Sequence, residues 1–179
     1  TIDNDTREAN VYAQGGSHNR RNYGTTMWFA TEHGDFKAGF FGNRLTTDGY
    51  NISAFGNEKD GFKNTSLHGK LLKEWDSGFD AELTFRKVDA RSDGDKQDFD
   101  FPSTATQGLV IDSGDVTETK QRYFRLALNR TGVRWSHNLA FTQTDSVTDF
   151  FSAQQLSSGS AGKRDQWTYQ ASIALNAND

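Results

Sequence analysis

The stretch Phe79-Asp80-Ala81-Glu82-Leu83-Thr84-Phe85-Arg86 alternates strictly between apolar and polar residues. Its odd positions are all apolar, and its even positions carry two acids, a threonine and an arginine. Because successive side chains of a β-strand point to opposite faces, this alternation predicts a strand with one apolar and one polar face. No helical period fits the same residues.

The same alternation recurs along the chain and predicts eight strands. The clearest further examples are residues 133–141 and 167–175, and shorter ones lie at 9–13, 23–29, 36–40, 65–71 and 124–128. The predicted strands, of about nine to fourteen residues, exceed the usual strand length of about five or six residues and match the roughly 9–11 residues that a tilted strand needs to cross a bilayer. Aromatic residues such as Trp75 and Trp167 lie near predicted strand ends, as expected for the girdles of a membrane barrel.

Composition agrees with this interpretation. The 179 residues fit a single domain spanning 1–179, and the net charge of −4 argues against a nucleic-acid partner. Absence of cysteine excludes disulfides and thiolate metal sites. The mean hydropathy is −0.81 and the longest apolar run is Met27–Ala30, which excludes a transmembrane helix.

The predicted connections alternate between short and long. Short turns lie at 33–35, 75–78 and 129–132, and longer links lie at 15–22, 44–61, 89–117 and 144–165. Outer-membrane barrels have short periplasmic turns and long extracellular loops. We therefore expect an all-β fold, an antiparallel transmembrane β-barrel with eight up-and-down strands. A soluble β-sandwich or a lipocalin-like barrel is the alternative fold, and the strand count leaves open whether the eight strands close alone.

Three segments carry a resemblance to a known family. They are Gly34-Asp35-Phe36, the run Asn43-Arg44-Leu45-Thr46-Thr47-Asp48-Gly49-Tyr50-Asn51-Ile52-Ser53, and the run Gly56-Asn57-Glu58-Lys59-Asp60-Gly61-Phe62-Lys63-Asn64. Together they resemble the start of the barrel in TonB-dependent outer-membrane transporters, and most of all the cobalamin-receptor-like branch. The resemblance covers about the first 90 residues and implies a barrel of 22 strands with an amino-terminal plug. It implies that this chain supplies strands one to eight, without the plug or the remaining strands.

The acidic stretch 93–100 is a candidate metal site. Clustered aspartates on a loop supply the oxygen ligands that Ca²⁺ prefers. In the resembled receptor, calcium orders the extracellular loops through aspartates after the second and third hairpins. By position Asp60 matches one of these aspartates, and Asp95, Asp98 or Asp100 matches another. A solvated acidic loop is the alternative, and no other cofactor is expected.

Aromatic residues on the long predicted loops are candidate ligand contacts, because loops on rigid scaffolds often carry function. The candidates are Tyr50, Phe55, Phe99, Phe101 and Phe150. The alternative is that these rings pack loop against loop and keep the end of the protein ordered.

The function that these features predict is transport and not catalysis. The resemblance implies a bacterial outer-membrane receptor that takes up a scarce metal chelate, of the cobalamin or ferric siderophore type, driven by TonB through a plug. The expected partners are the lipid bilayer, lipopolysaccharide and the chelate, with no nucleic acid. Two alternatives remain: a self-contained eight-stranded barrel with a structural or adhesion role, and a barrel hydrolase whose catalytic residues meet only in space.

Overall fold

The computed structural model describes residues 7–53 and 55–175 and consists of one antiparallel sheet. Its strands pair in chain order, so the topology is up-and-down throughout. They are β1 (Arg7–Gly16), β2 (Arg20–Ala30), β3 (Phe36–Thr47), β4 (Phe62–Trp75), β5 (Phe79–Gln97), β6 (Val110–Thr131), β7 (Trp135–Ser152) and β8 (Gln155–Ile173). The predicted all-β fold with eight up-and-down strands is confirmed.

The sheet is open in the described part of the chain. There β1 pairs with β2 alone and β8 with β7 alone, so the two outer strands do not meet. Every residue of β8 is exposed, as expected for an edge strand with nothing beside it. The described residues also contain no helix long and apolar enough to cross a membrane.

Strand register gathers the apolar residues onto one face. Residues opposite each other in an antiparallel pair share a face, and the pairs include Leu71 with Leu83, Leu83 with Leu126, and Leu126 with Phe141. This apolar face continues over all eight strands, from Val11 in β1 to Trp167 in β8. We call the apolar part of this face, next to the short connections, the apolar band. In β5 the band runs from Phe79 to Phe85, which is about 20 Å at about 3.3 Å per residue.

The opposite face is mostly polar. Thr84 pairs there with Arg125, and Asn129 with Asn138. Near β1 its aromatic side chains lie on glycines of the next strand: a Cβ on Gly24 would collide with the Tyr12 ring, and one on Gly39 with the Trp28 ring. Ring-on-glycine packing of this kind fills the space that glycine leaves and fixes the register of neighbouring strands.

The short connections predicted at 33–35, 75–78 and 129–132 are present at 31–35, 76–78 and 132–134. The long links predicted at 44–61 and 89–117 are present but shorter, at 48–61 and 98–109, because the flanking strands extend further than predicted. The predicted long links at 15–22 and 144–165 are wrong: β1 and β2 are joined by residues 17–19, and β7 and β8 by Ala153 and Gln154 alone. Both of these turn residues have positive φ, of 48° and 66°, which is the geometry of a type I′ hairpin. The strands continue there through mostly polar sequence, in which apolar residues do not alternate with polar ones.

Candidate functional site

The polar face holds a cavity between the middle strands. Its volume is about 680 Å³, and its walls come from β3 to β7. Polar side chains dominate the lining, among them Thr84 and Arg86 of β5, Tyr123 of β6 and Thr144 of β7. A space of this size admits a drug-sized molecule or a protein segment.

Charges on the polar face are neutralised in pairs next to the short connections. Glu82 lies 2.8 Å from the Lys70 ammonium and 3.3 Å from the Arg125 guanidinium. Asp80 accepts a hydrogen bond of 2.6 Å from Asn129. These groups satisfy one another across three strands, so they stabilise the strand pairing.

At the other end of the sheet, the two long links contact each other. The Ser53 hydroxyl donates a 3.0 Å hydrogen bond to the Val110 carbonyl, and the Glu58 amide donates one of 2.9 Å to the Asp112 carboxylate. The link 48–61 is therefore attached to the start of β6, 54 residues further along the chain.

Five carboxylates converge where these links meet. We call this group the acidic junction, and its members are Glu58, Asp60, Asp93, Asp95 and Asp112. Burial raises the pKa of Glu58, and the negative charges of the other four members raise it further. Burial likewise raises the pKa of Asp95, with added repulsion from Asp60 and Asp112. The hydrogen bond from the Glu58 amide lowers the pKa of Asp112. The junction thus concentrates five carboxylates, of which Asp93 forms an ion pair with Arg91 at 3.2 Å.

Two carboxylate oxygens of the junction lack a protein partner. Oδ2 of Asp95 and Oδ1 of Asp112 are buried without a hydrogen bond among the described residues. A buried oxygen in this state costs free energy unless a water, a proton or a cation satisfies it. Even so, no three His, Cys, Asp or Glu side chains in the described ranges are spaced to hold a metal ion. The calcium site stays a prediction.

The four aspartates predicted as metal ligands fall into separate environments. Asp60 and Asp95 belong to the acidic junction. Asp98 is 2% exposed and accepts hydrogen bonds from the hydroxyls of Thr104 and Thr106 and from the backbone amide of Asp100. The Asp100 side chain is 69% exposed and lies 4.0 Å from Lys96. The structure therefore brings two of the four together and gives Asp98 a different partner set.

Asp98 holds the second long link in shape. Its contacts with the two threonine hydroxyls lower its pKa to about 2, so it is ionised at neutral pH. Its backbone also pairs across the link, since the Asp98 amide donates to the Leu109 carbonyl at 2.9 Å and the Gly108 amide donates to the Asp98 carbonyl at 2.7 Å. We infer that this residue orders residues 98–109.

Four of the five predicted ligand-contact aromatics are exposed on the long links. Tyr50 and Phe55 in the first link are 64% and 47% exposed, and Phe99 and Phe101 in the second are 70% and 95% exposed. Phe150 was expected on a loop and this is wrong: it lies inside β7, half-buried, opposite Thr117 and Ser158. The polar sequence around it pairs as strand.

Three members of the acidic junction were not among the predicted site residues, namely Glu58, Asp93 and Asp112. The pattern Asp93-Gly94-Asp95 carries a partial indication, because residues two apart on a strand share a side. Nothing in the sequence spacing brings Glu58 to Asp112, since that contact depends on the fold of both links.

No family model matches the chain, and no similar curated protein was found.

Proposed function

We propose that this chain forms part of the wall and one end of a bacterial outer-membrane receptor that takes up a scarce metal chelate, driven by TonB through a plug. The observation that carries the proposal is the continuous apolar band, which crosses all eight strands on one face while the other face stays polar. A soluble protein buries such a band against a second layer, whereas a transmembrane barrel turns it towards lipid.

The dimensions of the band support this orientation. Its height of about 20 Å is close to the roughly 25 Å of the apolar belt on outer-membrane barrels. Many of its large residues are substantially exposed, including Phe79, Leu126 and Trp167 at 43%, 40% and 69%. A contiguous exposed apolar surface of this extent marks contact with lipid or with another protein.

The free edges favour a large barrel over a self-contained one. A closed eight-stranded barrel requires β1 to pair with β8, and in the described residues each has one neighbour only. Further strands between them would satisfy both edges and widen the lumen enough to hold a plug. The cavity on the polar face then lies where the wall faces that plug.

The long links supply the outer binding surface of the proposed receptor. Phe99 and Phe101 present apolar rings to solvent at the end where the two links meet. A metal chelate such as cobalamin or a ferric siderophore offers a large partly apolar surface, which aromatic side chains contact at low entropic cost. In this proposal a Ca²⁺ ion balances the acidic junction and orders the links around the ligand.

The first test is the intact mass of the denatured source protein from an outer-membrane preparation. A mass about three to four times the 20.0 kDa of this chain supports a plugged 22-stranded receptor. A mass near 20 kDa in the same preparation overturns the transport proposal and favours eight strands that close on themselves.

The second test addresses the substrate. Cells carrying the wild-type protein should accumulate labelled cobalamin or a labelled ferric siderophore only when TonB is present. The double variant Phe99→Ala/Phe101→Ala should raise the half-saturating concentration about tenfold, as loss of one or two interface anchors does. Leu109→Ala, in the same link, is the control and should change it less than about twofold. Uptake that is unaffected by TonB loss contradicts the proposal.

A further inference from the structure

A basic and aromatic surface lies at the margin of the apolar band next to the short connections. We call it the basic-aromatic patch and define it as Arg130, Arg134, Trp135, His137 and Tyr169. A surface cavity of about 520 Å³ opens there, lined by Arg130, Gly132, Val133, Arg134, Trp135 and His137. It is on the apolar face, because His137 pairs with Arg130 and with Ala171 in the row beside Leu128 and Leu139.

Three rings form a continuous stack within the patch. The centroids of Trp135 and His137 are 6.4 Å apart with planes inclined by 6°, and those of His137 and Tyr169 are 6.1 Å apart at 20°. Nδ1 of His137 also lies 2.9 Å from the Tyr169 hydroxyl. Trp135 and Tyr169 are 51% and 64% exposed, so the stack is ordered and still open to its surroundings.

The arginines of the patch have no acidic partner. The Arg130 guanidinium lies 4.9 Å over the Phe79 ring, and neither it nor Arg134 is within ion-pair distance of a carboxylate in the part of the chain that the structure describes. Towards the long links the same face carries ion pairs, since Lys87 lies 2.7 Å from Asp89 and Lys163 lies 4.0 Å from Asp165. Arg130 and Arg134 therefore place two positive charges without a carboxylate partner beside the three stacked rings.

We propose that the patch binds the phosphate of a phospholipid headgroup from the leaflet that borders the short connections. This inference rests on the proposed function, because it needs the apolar band to lie in a bilayer. Two guanidinium groups fit phosphate oxygens by paired hydrogen bonds, and the indole and phenol rings suit the boundary between headgroup and acyl chain. Leu128 and Leu139, one row further into the band, then border the acyl chain.

The test is lipid retention by the intact protein, purified in detergent and titrated with palmitoyl-oleoyl phosphatidylglycerol, with bound lipids counted by native mass spectrometry. Wild-type protein should retain at least one lipid that Arg130→Gln/Arg134→Gln loses, with at least a tenfold higher apparent Kd. The charge-preserving variant Arg130→Lys/Arg134→Lys should stay within about threefold of wild type, as a lysine still binds phosphate as a point charge. Inorganic phosphate at millimolar concentration should not displace the lipid, because a headgroup site also needs the acyl chain.

The matched control is Arg44→Gln/Arg122→Gln, which removes two arginines from the same face towards the long links. It should retain the lipid like wild type. Equal loss in both glutamine variants overturns the proposal, since binding would then follow net charge and not position. Displacement by inorganic phosphate overturns it as well and assigns the patch to a free anion.

A parallel measurement separates this proposal from the proposed function. Membranes carrying each variant are washed with alkaline carbonate, and the protein that stays in the pellet is quantified. Protein that stays in the pellet and shows no site-dependent lipid loss overturns the lipid site alone. Wild-type protein released by the wash overturns both. A folded Arg134→Gln single variant with intermediate affinity supports the site if the double variant does not fold.

Discussion

Asp98 and Asp95 lie three residues apart at the end of β5, and the structure places them in opposite electrostatic situations. Three hydrogen-bond donors surround the Asp98 carboxylate and lower its pKa to about 2. Asp95 is surrounded by other acids, keeps one buried oxygen without a partner, and has a raised pKa. The first carboxylate stabilises its link when charged, and the second destabilises its surroundings when charged. Counting acids in a sequence does not distinguish these roles, because the donors decide them.

Two backbone amides report on these environments separately. The Glu58 amide donates to Asp112 in the acidic junction, and the Asp100 amide donates to Asp98. Hydrogen exchange of the two amides, corrected for intrinsic rate, therefore follows the junction and the second link independently.

The largest effect is expected for Gly56→Ala, which should disrupt the junction. Gly56 has φ +114°, a conformation that other residues rarely adopt, and a Cβ there would collide with the Asp112 carboxylate. Strain of this kind costs about 2 kcal/mol, so Glu58 exchange should become about thirtyfold faster. Exchange at Asp100 should not change. Gly114→Ala is the control, since a Cβ at Gly114 meets nothing within 4 Å. A Gly56→Ala variant in which the Glu58 exchange rate does not change would contradict the contact between Gly56 and Asp112.

Asp98→Ala should act on the other region alone. It removes the acceptor for the hydroxyls of Thr104 and Thr106 and for the Asp100 amide. Exchange at Asp100 and proteolysis within 98–109 should become about tenfold faster, because local order in the link is lost. The matched control Asp100→Ala removes an exposed carboxylate and should change either rate less than about twofold. Faster exchange at Glu58 would show that the two regions are coupled.

Lowering the pH should change the stability of the acidic junction and of the second long link in opposite directions. The lowered pKa of Asp98 means that its contribution is complete above the unfolded value of 3.8 and is lost as the pH falls through that value towards about 2. The raised pKa values of Glu58 and Asp95 mean the reverse: protonation favours the fold below the unfolded values of 4.5 and 3.8, and this contribution is lost as the pH rises through the folded values. Between pH 7 and about 4.5, Glu58 exchange should slow by a few-fold while Asp100 exchange stays constant. Parallel changes at both amides would contradict the assignment.

Asp95→Asn should give the smallest change, in the stabilising direction. Asparagine keeps the oxygen that accepts from the Ser113 amide and removes one negative charge from the junction. Glu58 exchange should slow about twofold in the absence of metal. Addition of about 5 mM Ca²⁺ should slow exchange in the wild type and have less effect in the variant, since a hard cation prefers anionic oxygens. Mg²⁺ at the same concentration is the control for screening by salt.

The strands can be predicted from the sequence only where one face of the sheet is apolar. In residues 79–86 each apolar side chain has an apolar or aliphatic neighbour across the sheet, so alternation marks both the strand and its face. In 144–165 the pairing continues between residues such as Asp145 and Lys163, and the apolar residues Val147 and Phe150 lie on opposite faces. The period of two is still present in the backbone there, but no difference in hydropathy reveals it. For this reason the ends of β7 and β8 were not predictable.

The acidic junction shows a second reason why part of the structure could not be predicted from the sequence. Asp60 and Asp95 were identified from their positions as candidate ligands, and they do come together. Their neighbours Asp93 and Asp112 follow from where the 48–61 link folds back onto the sheet, as in the hydrogen bond from the Asp93 amide to the Gly61 carbonyl at 2.8 Å. That return path depends on hydrogen bonds among loop residues and leaves no periodic pattern in the sequence.

The strands are shorter on the β1 side of the sheet than on the β8 side, so the strand ends away from the short connections lie at different heights. From the short connections upward, β2 has 11 residues and β8 has 19, a difference of about 26 Å along the strand at about 3.3 Å per residue. The Ala153–Gln154 hairpin therefore ends further from the short connections than the turn at residues 17–19 does. An antibody raised against that hairpin would bind well away from β1 and β2.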